Sequence, residues 1–428
     1  MFVSIQDAIK KGKGKVSVRG WIYRERGSSK IKFIVLRDSS NIIQCILEKD
    51  KISDKEWENS QKLLIESSVE IEGTIKQDER APTGYEINVT KLNVIHFAEK
   101  YPITKDQSTE FLLDNRHLWI RSRQLTAVMK IRSTVLESFR EYFQKKNFYE
   151  LSPPIFTPNA CEGGSTLFEV KYYNDKVYLT QSWQLYAEAA IFGLEKIFTI
   201  SPCFRAEKSK TSRHLSEFWM AEMEAAWYGL DELTKDAEEV ITYTFEQVLK
   251  KNLNELKILN RDISKLKKVK TPFIRMTYKE ALKALQKKGM KVKFGKDLRT
   301  IEEDKLVEGC DKPIIVTHYP KEIMAFYKPR DPEDKETARC FDVLAPEGYG
   351  ELVGGSERDI DIEELKKYLK KEGANPDNYS WYFDTRRYGN VPHGGFGLGI
   401  ERLVAWICGL PNIKDAIAFP RTMLRKTP

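Results

Sequence analysis

Between Val16 and about Val94 the chain alternates apolar and polar residues through five short runs: KVSVRGWIY, KFIVLRD, NIIQCILE, SVEIEGTI and YEINVTKLNVI. Alternation sends successive side chains to opposite faces of a strand, so each run offers one face for burial. Gly, Asn, Ser and the sequence Pro82-Thr83-Gly84 separate the runs at turn positions. Five such strands in a segment this short predict a small closed barrel. The stretch from Lys51 to Ser67 predicts a helix between the third and fourth strands.

After a polar connector the period changes. Leu125, Val128, Val135, Leu136, Phe139 and Phe143 recur at helical spacing. Pro153 and Pro154 cannot continue a helix and impose an extended path, so a strand is expected to begin near them. From about Leu230 to Lys312 the chain becomes Lys-rich and mostly helical, which predicts an insertion on the surface of the second domain. The organisation expected is a barrel in residues 1–98, a hinge in 99–119, and a second domain in 120–428 with a helical insertion near 230–312.

Composition narrows the setting more than the function. A chain of 428 residues is long enough for two or three cores. It has no run of about 18 apolar residues and no apolar leader after Met1, so neither a membrane span nor a secretory signal is expected. The six cysteines are scattered, without a CxxC pair or a His-rich cluster, which suggests neither zinc nor a disulfide framework and fits a reducing cytoplasm. A formal net charge of +8 permits a polyanionic partner without requiring one.

Three later stretches carry candidate chemistry. FRAEKSKTSRHLSEFWMAEMEAAW sets Arg205, Glu207, Arg213, His214, Glu217, Glu222 and Glu224 among apolar residues. If its ends are strands, Arg205 shares a face with Glu207, and Glu222 with Glu224, with Arg213 and His214 on the loop between. FDVLAPEGYGELVGGSERD offers Asp342 and Glu351 as hard oxygen ligands suited to Mg²⁺, with Arg358 beyond them. GGFGLGIERLVAWICGL joins a glycine-rich turn to a helix whose first turn holds Arg402, a cation where the helix dipole favours an anion. A solvated charge pattern remains open for the first stretch, and a packing role for the glycines. No Ser-His-Asp or Cys-His arrangement assembles, so no covalent enzyme intermediate is expected.

Together the three stretches resemble the motifs of class II aminoacyl-tRNA synthetases, in the order and spacing of the archaeal/eukaryotic-type aspartyl/asparaginyl subgroup. Pro154 matches the proline of motif 1, FRAE (204–207) with RHLSEF (213–218) matches motif 2, and GLGIER (397–402) matches motif 3, with CEGGSTLF and LTQSWQLY between them. The resemblance implies an α+β chain. A five-stranded OB-fold β-barrel that binds the anticodon precedes a class II catalytic domain, whose six-stranded antiparallel sheet is flanked by helices and which forms a homodimer through motif 1. It implies ATP and Mg²⁺, with Arg205 on the α-phosphate, Glu207 on the adenine amino group, Phe218 stacked on the ring, Arg213 and Arg402 on the outer phosphates, His214 and Gly399 nearby, and Asp342 and Glu351 holding the metal.

For the amino acid, the resemblance places Glu162 on the substrate ammonium, Ser182 and Gln184 beside it, and Glu222 and Arg358 on the side chain. In the barrel, Arg24, Phe33 and Gln44 match anticodon-binding positions, while Ile46 stands where a relative carries a second aromatic. The aspartyl enzymes carry a lysine where this chain has Ala187, so one of two cations for a carboxylate substrate is missing. The activity implied is ligation of L-asparagine to tRNA(Asn) through an adenylate. Two alternatives stay open: a non-discriminating aspartyl enzyme, and an inactive RNA-binding relative, which would be marked by loss of Arg205, Glu351 or Arg402. All three are present.

Overall fold

A computed structural model of the chain describes residues 1–161, 166–208 and 213–428. It divides into two compact units, Met1–Leu112 and Leu113–Pro428. No helix among the described residues is long and apolar enough to cross a membrane.

In the first unit, strands β1 (Gly14–Gly27), β2 (Ile31–Arg37), β3 (Ile42–Glu48), β4 (Ser68–Gln77) and β5 (Tyr85–His96) close a barrel in the order β1-β2-β3-β5-β4. Each alternating run turns its apolar set inward, so Val18, Ile22, Ile34, Leu36, Ile71 and Ile87 are fully buried. The helix between β3 and β4 spans only Asp54–Gln61, shorter than the sequence suggests. Ser53 and Glu56 cap its start reciprocally. Its apolar tail leaves the helix instead, with Leu63 buried and Leu64 and Ile65 exposed.

The second unit is built on an eight-stranded sheet. Its strands are β6 (Tyr149–Glu150), β10 (Lys196–Phe204), β11 (Glu217–Ala226), β12 (Ile274–Thr277), β13 (Ile314–Thr317), β14 (Cys340–Ala345), β15 (Gly350–Glu357) and β16 (His393–Gly399), ordered β12-β13-β14-β15-β16-β11-β10-β6. The six strands from β13 to β10 pair antiparallel, as the sequence resemblance implies, and a parallel strand is added at each edge. A separate small sheet joins β7 (Phe156–Thr157), β8 (Glu169–Tyr172) and β9 (Asp175–Leu179). A strand begins just past Pro153 and Pro154, at Phe156, since the prolines have no N–H to give to a ladder.

One face of the large sheet is dry. Phe198, Met223, Phe341, Val343, Phe396 and Leu398 pack there against the helices Arg123–Lys145, Leu230–Lys251 and Ile400–Cys408. The Leu230–Lys251 helix is therefore not a surface insertion: Leu233, Ala237, Val240, Ile241, Phe245 and Val248 are all buried in this core. The residues that follow are also integral, since Tyr278, Leu285, Leu306, Ile314 and Val316 form a second core with Cys340 and Leu344. Lysine-rich composition hides this, because lysines decorate the solvent side of helices whose opposite stripe is apolar.

Candidate functional site

The sheet's other face carries the polar residues, for the same reason of period two. On β11, Ala221, Met223 and Ala225 enter the core, which turns Glu222 and Glu224 to the opposite side. On β14, Phe341 and Val343 do likewise and leave Asp342 there. Glycines on the neighbouring strand β16 make room. A Cβ at Gly395 would fall 2.1 Å from a Glu224 carboxylate oxygen, and one at Gly397 would fall 2.5 Å from Cε of Met220. The glycine-rich run is thus a floor under the carboxylates as well as a lead into the Ile400–Cys408 helix.

Two clefts meet over this floor. The first, about 220 Å³, is lined by Arg205, Glu207, Arg213, His214, Phe218, Glu351, Gly399 and Arg402, which is every nucleotide residue named from the sequence except Asp342. The second, about 280 Å³, holds Ser182, Gln184, Glu222, Asp342 and Arg358. They share Arg205, Met220, Glu351 and Gly397. Glu162 lies outside the described residues.

In the first cleft, Arg205 and Glu207 come from the segment after β10 rather than from the strand itself, which ends at Phe204. The Arg205 guanidinium lies 5.4 Å from the Phe218 ring centroid. His214 Nε2 is 3.7 Å from Glu207, and burial together with Arg402, Arg205 and Arg213 pulls its pKa below the ordinary histidine value. Arg213 donates two 3.0 Å hydrogen bonds to Asp304, and Arg402 donates to the Glu351 carbonyl oxygen. Glu401, beside Arg402, points the other way into a 2.7 Å pair with Arg132 and accepts from Trp219 N–H. That pair ties the motif 3 helix to the long Arg123–Lys145 helix and so fixes where Arg402 emerges.

The acidic end of the second cleft is formed by Asp342, Glu351 and Asp297. Burial pushes the Asp342 carboxyl far up, and Glu351 and Asp297 push it further, against opposition from Lys328 and a Tyr319 hydroxyl. Neighbouring carboxylates that disfavour each other's charge are suited to a divalent cation. No group of three or more His, Cys, Asp or Glu side chains among the described residues makes a ready-made cage.

At the other end Arg358 is turned to Glu224 rather than to Glu222. It donates two 2.8 Å hydrogen bonds to both oxygens of Glu224 and one of 2.8 Å to Ser356 Oγ, and it lies 3.8 Å from Glu188. Glu222 instead accepts from Ser182 Oγ at 2.5 Å and from the Trp183 N–H at 3.3 Å, at the N-terminus of the Gln184–Leu194 helix. That position favours an anion. Gln184 Nε2 is turned to Glu188 at 2.9 Å.

Glu188 anchors a group of residues the sequence did not single out. It is fully buried and accepts from Tyr382 at 2.8 Å and from Arg386, with His393 Nε2 3.2 Å away. Burial alone would raise its carboxyl, yet Arg386, His393 and Arg358 together hold it far below the usual carboxylate range. Burial does raise Glu224, despite Arg358. Gln184 and Glu188, four apart in one helix, were a local signal. Arg386 and His393, about two hundred residues further on, gave none.

In the barrel, Phe33 is on the outer face, since Ile34 and Leu36 supply the core. Arg24 pairs in register with Val35, and Val35 with Gln44; the next row is Arg26, Phe33 and Ile46. The Arg26 guanidinium sits 5.1 Å over the Phe33 ring. Gln44 donates to Glu86 at 3.0 Å. Arg24 and Gln44 thus flank Val35 one row from Phe33 on the same side of the barrel, but Gln44 is buried there with its amide on Glu86.

A barrel with an aromatic and basic outer face, and a mostly antiparallel sheet bearing arginines over glycines, together define an enzyme that handles nucleotide phosphates and RNA. The chain belongs to the class II tRNA synthetases of the D, K and N group: that family model matches residues 108–423, and an OB-fold nucleic acid binding model matches 16–95. It is 48% identical over 414 residues to the asparagine–tRNA ligase of Thermoplasma acidophilum, covering 97% of this chain and 96% of that one. It superposes on the Pyrococcus horikoshii asparaginyl-tRNA synthetase complexed with asparaginyl-adenylate with a TM-score of 0.96 at 45% identity, covering 100% of both chains. The Entamoeba histolytica asparaginyl-tRNA synthetase complexed with asparaginyl-adenylate gives 0.89 at 32%, again covering 100% of both.

Proposed function

We propose that this chain ligates L-asparagine to tRNA(Asn) at the expense of ATP, through an asparaginyl-adenylate. The observation that carries the choice of amino acid is the bidentate pairing of Arg358 with Glu224. With Ala187 where the resemblance puts a lysine in aspartyl enzymes, and with Arg358 already paired to Glu224, the Glu222 end of the pocket offers a substrate carboxylate no second cation beside that arginine; Arg205 and Lys328 line the cleft with Asp342 and Glu351. Glu222 adds an anion held at a helix N-terminus. It repels aspartate and accepts from the asparagine NH₂.

The chemistry needs no protein nucleophile. A carboxylate oxygen of asparagine attacks the α-phosphorus, a P–O bond forms, and the bond to the bridging oxygen breaks as pyrophosphate leaves. Arg205 stands where the clefts join, which is where charge grows on the α-phosphoryl oxygens. Arg402 and Arg213 take the outer phosphates, Arg213 by exchanging Asp304 for them. Phe218 and Glu207 hold the adenine, His214 and Gly399 line its cleft, and Ser182 and Gln184 seat the amino acid with Glu162. Asp342 and Glu351 would hold a Mg²⁺ ion, which would supply charge neutralisation at the phosphates. A ribose hydroxyl of the tRNA then attacks the acyl carbon, an ester forms and AMP leaves.

In this reading residues 1–98 bind the anticodon through Arg24, Phe33 and Gln44, residues 99–119 connect, and residues 120–428 carry catalysis in a cytoplasmic homodimer. The dimer is supported by exposed apolar side chains beside the motif 1 proline, with Tyr149 61%, Ile155 42% and Phe156 50% exposed.

The test is amino-acid-dependent ATP–pyrophosphate exchange. Asparagine should exceed aspartate in kcat/KM by at least about 100-fold, equivalent to about 2.7 kcal/mol. Glu222→Gln should narrow the gap about tenfold or more. Comparable kcat/KM for the two amino acids in the unmodified enzyme overturns the reading in favour of a non-discriminating aspartyl enzyme.

A further inference from the structure

One strongly basic segment touches the sites above only through Asp297. From the end of the Tyr278–Lys287 helix to the start of the Thr300–Val307 helix the chain reads KKGMKVKFGKDLRT, with Lys287, Lys288, Lys291, Lys293, Lys296 and Arg299 all exposed. Two of these cations are engaged: Lys288 donates to the carbonyls of Lys305, Leu306 and Glu308, and Arg299 pairs with Glu302. Among the described residues Lys287, Lys291, Lys293 and Lys296 make no ion pair. The loop is not a loose tail, because the Tyr278 hydroxyl donates to the Lys296 carbonyl and Phe294, 40% exposed, packs edge-on against Tyr278 with Lys279 5.3 Å over its ring.

The segment borders an open cavity of about 500 Å³ whose wall carries Lys291, Lys293, Lys296 and Arg299 on an apolar floor of Tyr278, Leu282, Val292 and Leu298, with Asp297 and Glu302 as its acids. Asp297 also lines the amino-acid cleft beside Asp342 and Glu351. A cavity rimmed by three unpaired lysines and the cleft where the acyl group is activated therefore adjoin across one residue. Solvated lysines on a helix surface would show neither this concavity nor that shared wall.

We infer that the Lys287–Arg299 segment receives the single-stranded 3′ end of the tRNA, its lysines against the phosphates and Phe294 against an unpaired base. This rests on the synthetase reading above and assigns to it the surface that delivers the accepting ribose. The chemistry fits the occupant: flexible ammonium groups neutralise a backbone without reading sequence, and an exposed ring is the platform on which splayed bases stack. The position fits too, since the reacting hydroxyl is on the terminal nucleotide and must reach the cleft that Asp297 borders.

The experiment compares the full-length parent with Lys291→Gln/Lys293→Gln/Lys296→Gln and with Phe294→Ala. Asparagine-dependent pyrophosphate exchange should stay within about twofold of the parent in both, which also reports on folding. Charging of tRNA should fall at least about tenfold in kcat/KM for the triple variant. The slope of its log–log salt dependence should become shallower by about 2, since each single-strand phosphate that a lysine neutralises contributes about 0.7 to that slope. Phe294→Ala should lose about fivefold or more with its salt slope unchanged. Unaltered charging and salt slope in the triple variant overturns the inference, as does an equal loss in exchange and charging. Absence of asparagine-dependent exchange in the parent defeats the function itself, a distinct result.

Discussion

Arg358 can be tested as a buried charge whose removal leaves its partners stranded. In Arg358→Met the two 2.8 Å bonds to Glu224 and the bond to Ser356 disappear, while Glu224 and Glu188, with 1% and 0% of their side chains exposed, stay in place. Glu188 retains Arg386 and His393, whereas Glu224 is stripped of the guanidinium that held both its oxygens. Removing one member of a buried pair costs about 3–5 kcal/mol, because the other charge is left desolvated. A unit of this size shifts its unfolding midpoint by about 2–4 °C per kcal/mol, so a fall on the order of 10 °C is expected at pH 7.5. Glu224 then has every reason to take a proton. A carboxyl whose folded pKa exceeds its unfolded value binds more protons when folded, so stability rises as pH falls toward the unfolded value, and the deficit should shrink by pH 5.5. Asparagine KM should rise as well, since Arg358 lines the substrate cleft. The double variant Arg358→Met/Glu224→Leu should recover most of the lost stability without recovering asparagine activation. Thermal unfolding at the two pH values, followed alongside exchange kinetics, reads all of this. A stability loss below about 1 kcal/mol at pH 7.5, with parental KM, would refute the pairing as the device that sets the pocket's charge.

Two further outcomes are expected. Arg402→Ala should lower asparagine-dependent exchange about 100-fold or more while leaving the protein folded, because it removes a cation from the phosphate cleft; near-parental exchange in that variant contradicts the assignment. Lys321, fully buried with its ammonium 3.8 Å over the Tyr368 ring, is pushed down to about 8 by burial. A lysine whose folded pKa is depressed binds fewer protons folded than unfolded, so it favours folding increasingly as pH rises from about 8 to 10, by up to about 3 kcal/mol. Denaturant titrations of parent and Lys321→Met across that window should show a steeper rise for the parent, and parallel slopes would disprove it.

Much of this protein is local enough to read along the chain. Period two is enough to place five barrel strands, and it forces Glu222 and Glu224 onto one face once Met223 and Ala225 are buried on the other. The arginines of the nucleotide cleft stand at fixed spacing from prolines, glycines and apolar runs, so eight of the nine residues expected there line one cavity. That Ala187 stands where the resemblance puts a lysine in aspartyl enzymes needs no structure to see. What the chain could not disclose is who meets whom across long separations. The amphipathic stripe of Leu230–Lys251 says that one side is buried but not against what, and a surface insertion and a core helix share that pattern. Whether Arg358 would meet Glu222 or Glu224 depended on strand register between β11, β16 and β15, and a shift of two residues exchanges one for the other. Glu188 found Arg386 and His393 only because the chain returns to the same place about two hundred residues later. The pocket's charge is a sum over those distant partners, and buried charges interact too strongly for any one of them to be assigned alone.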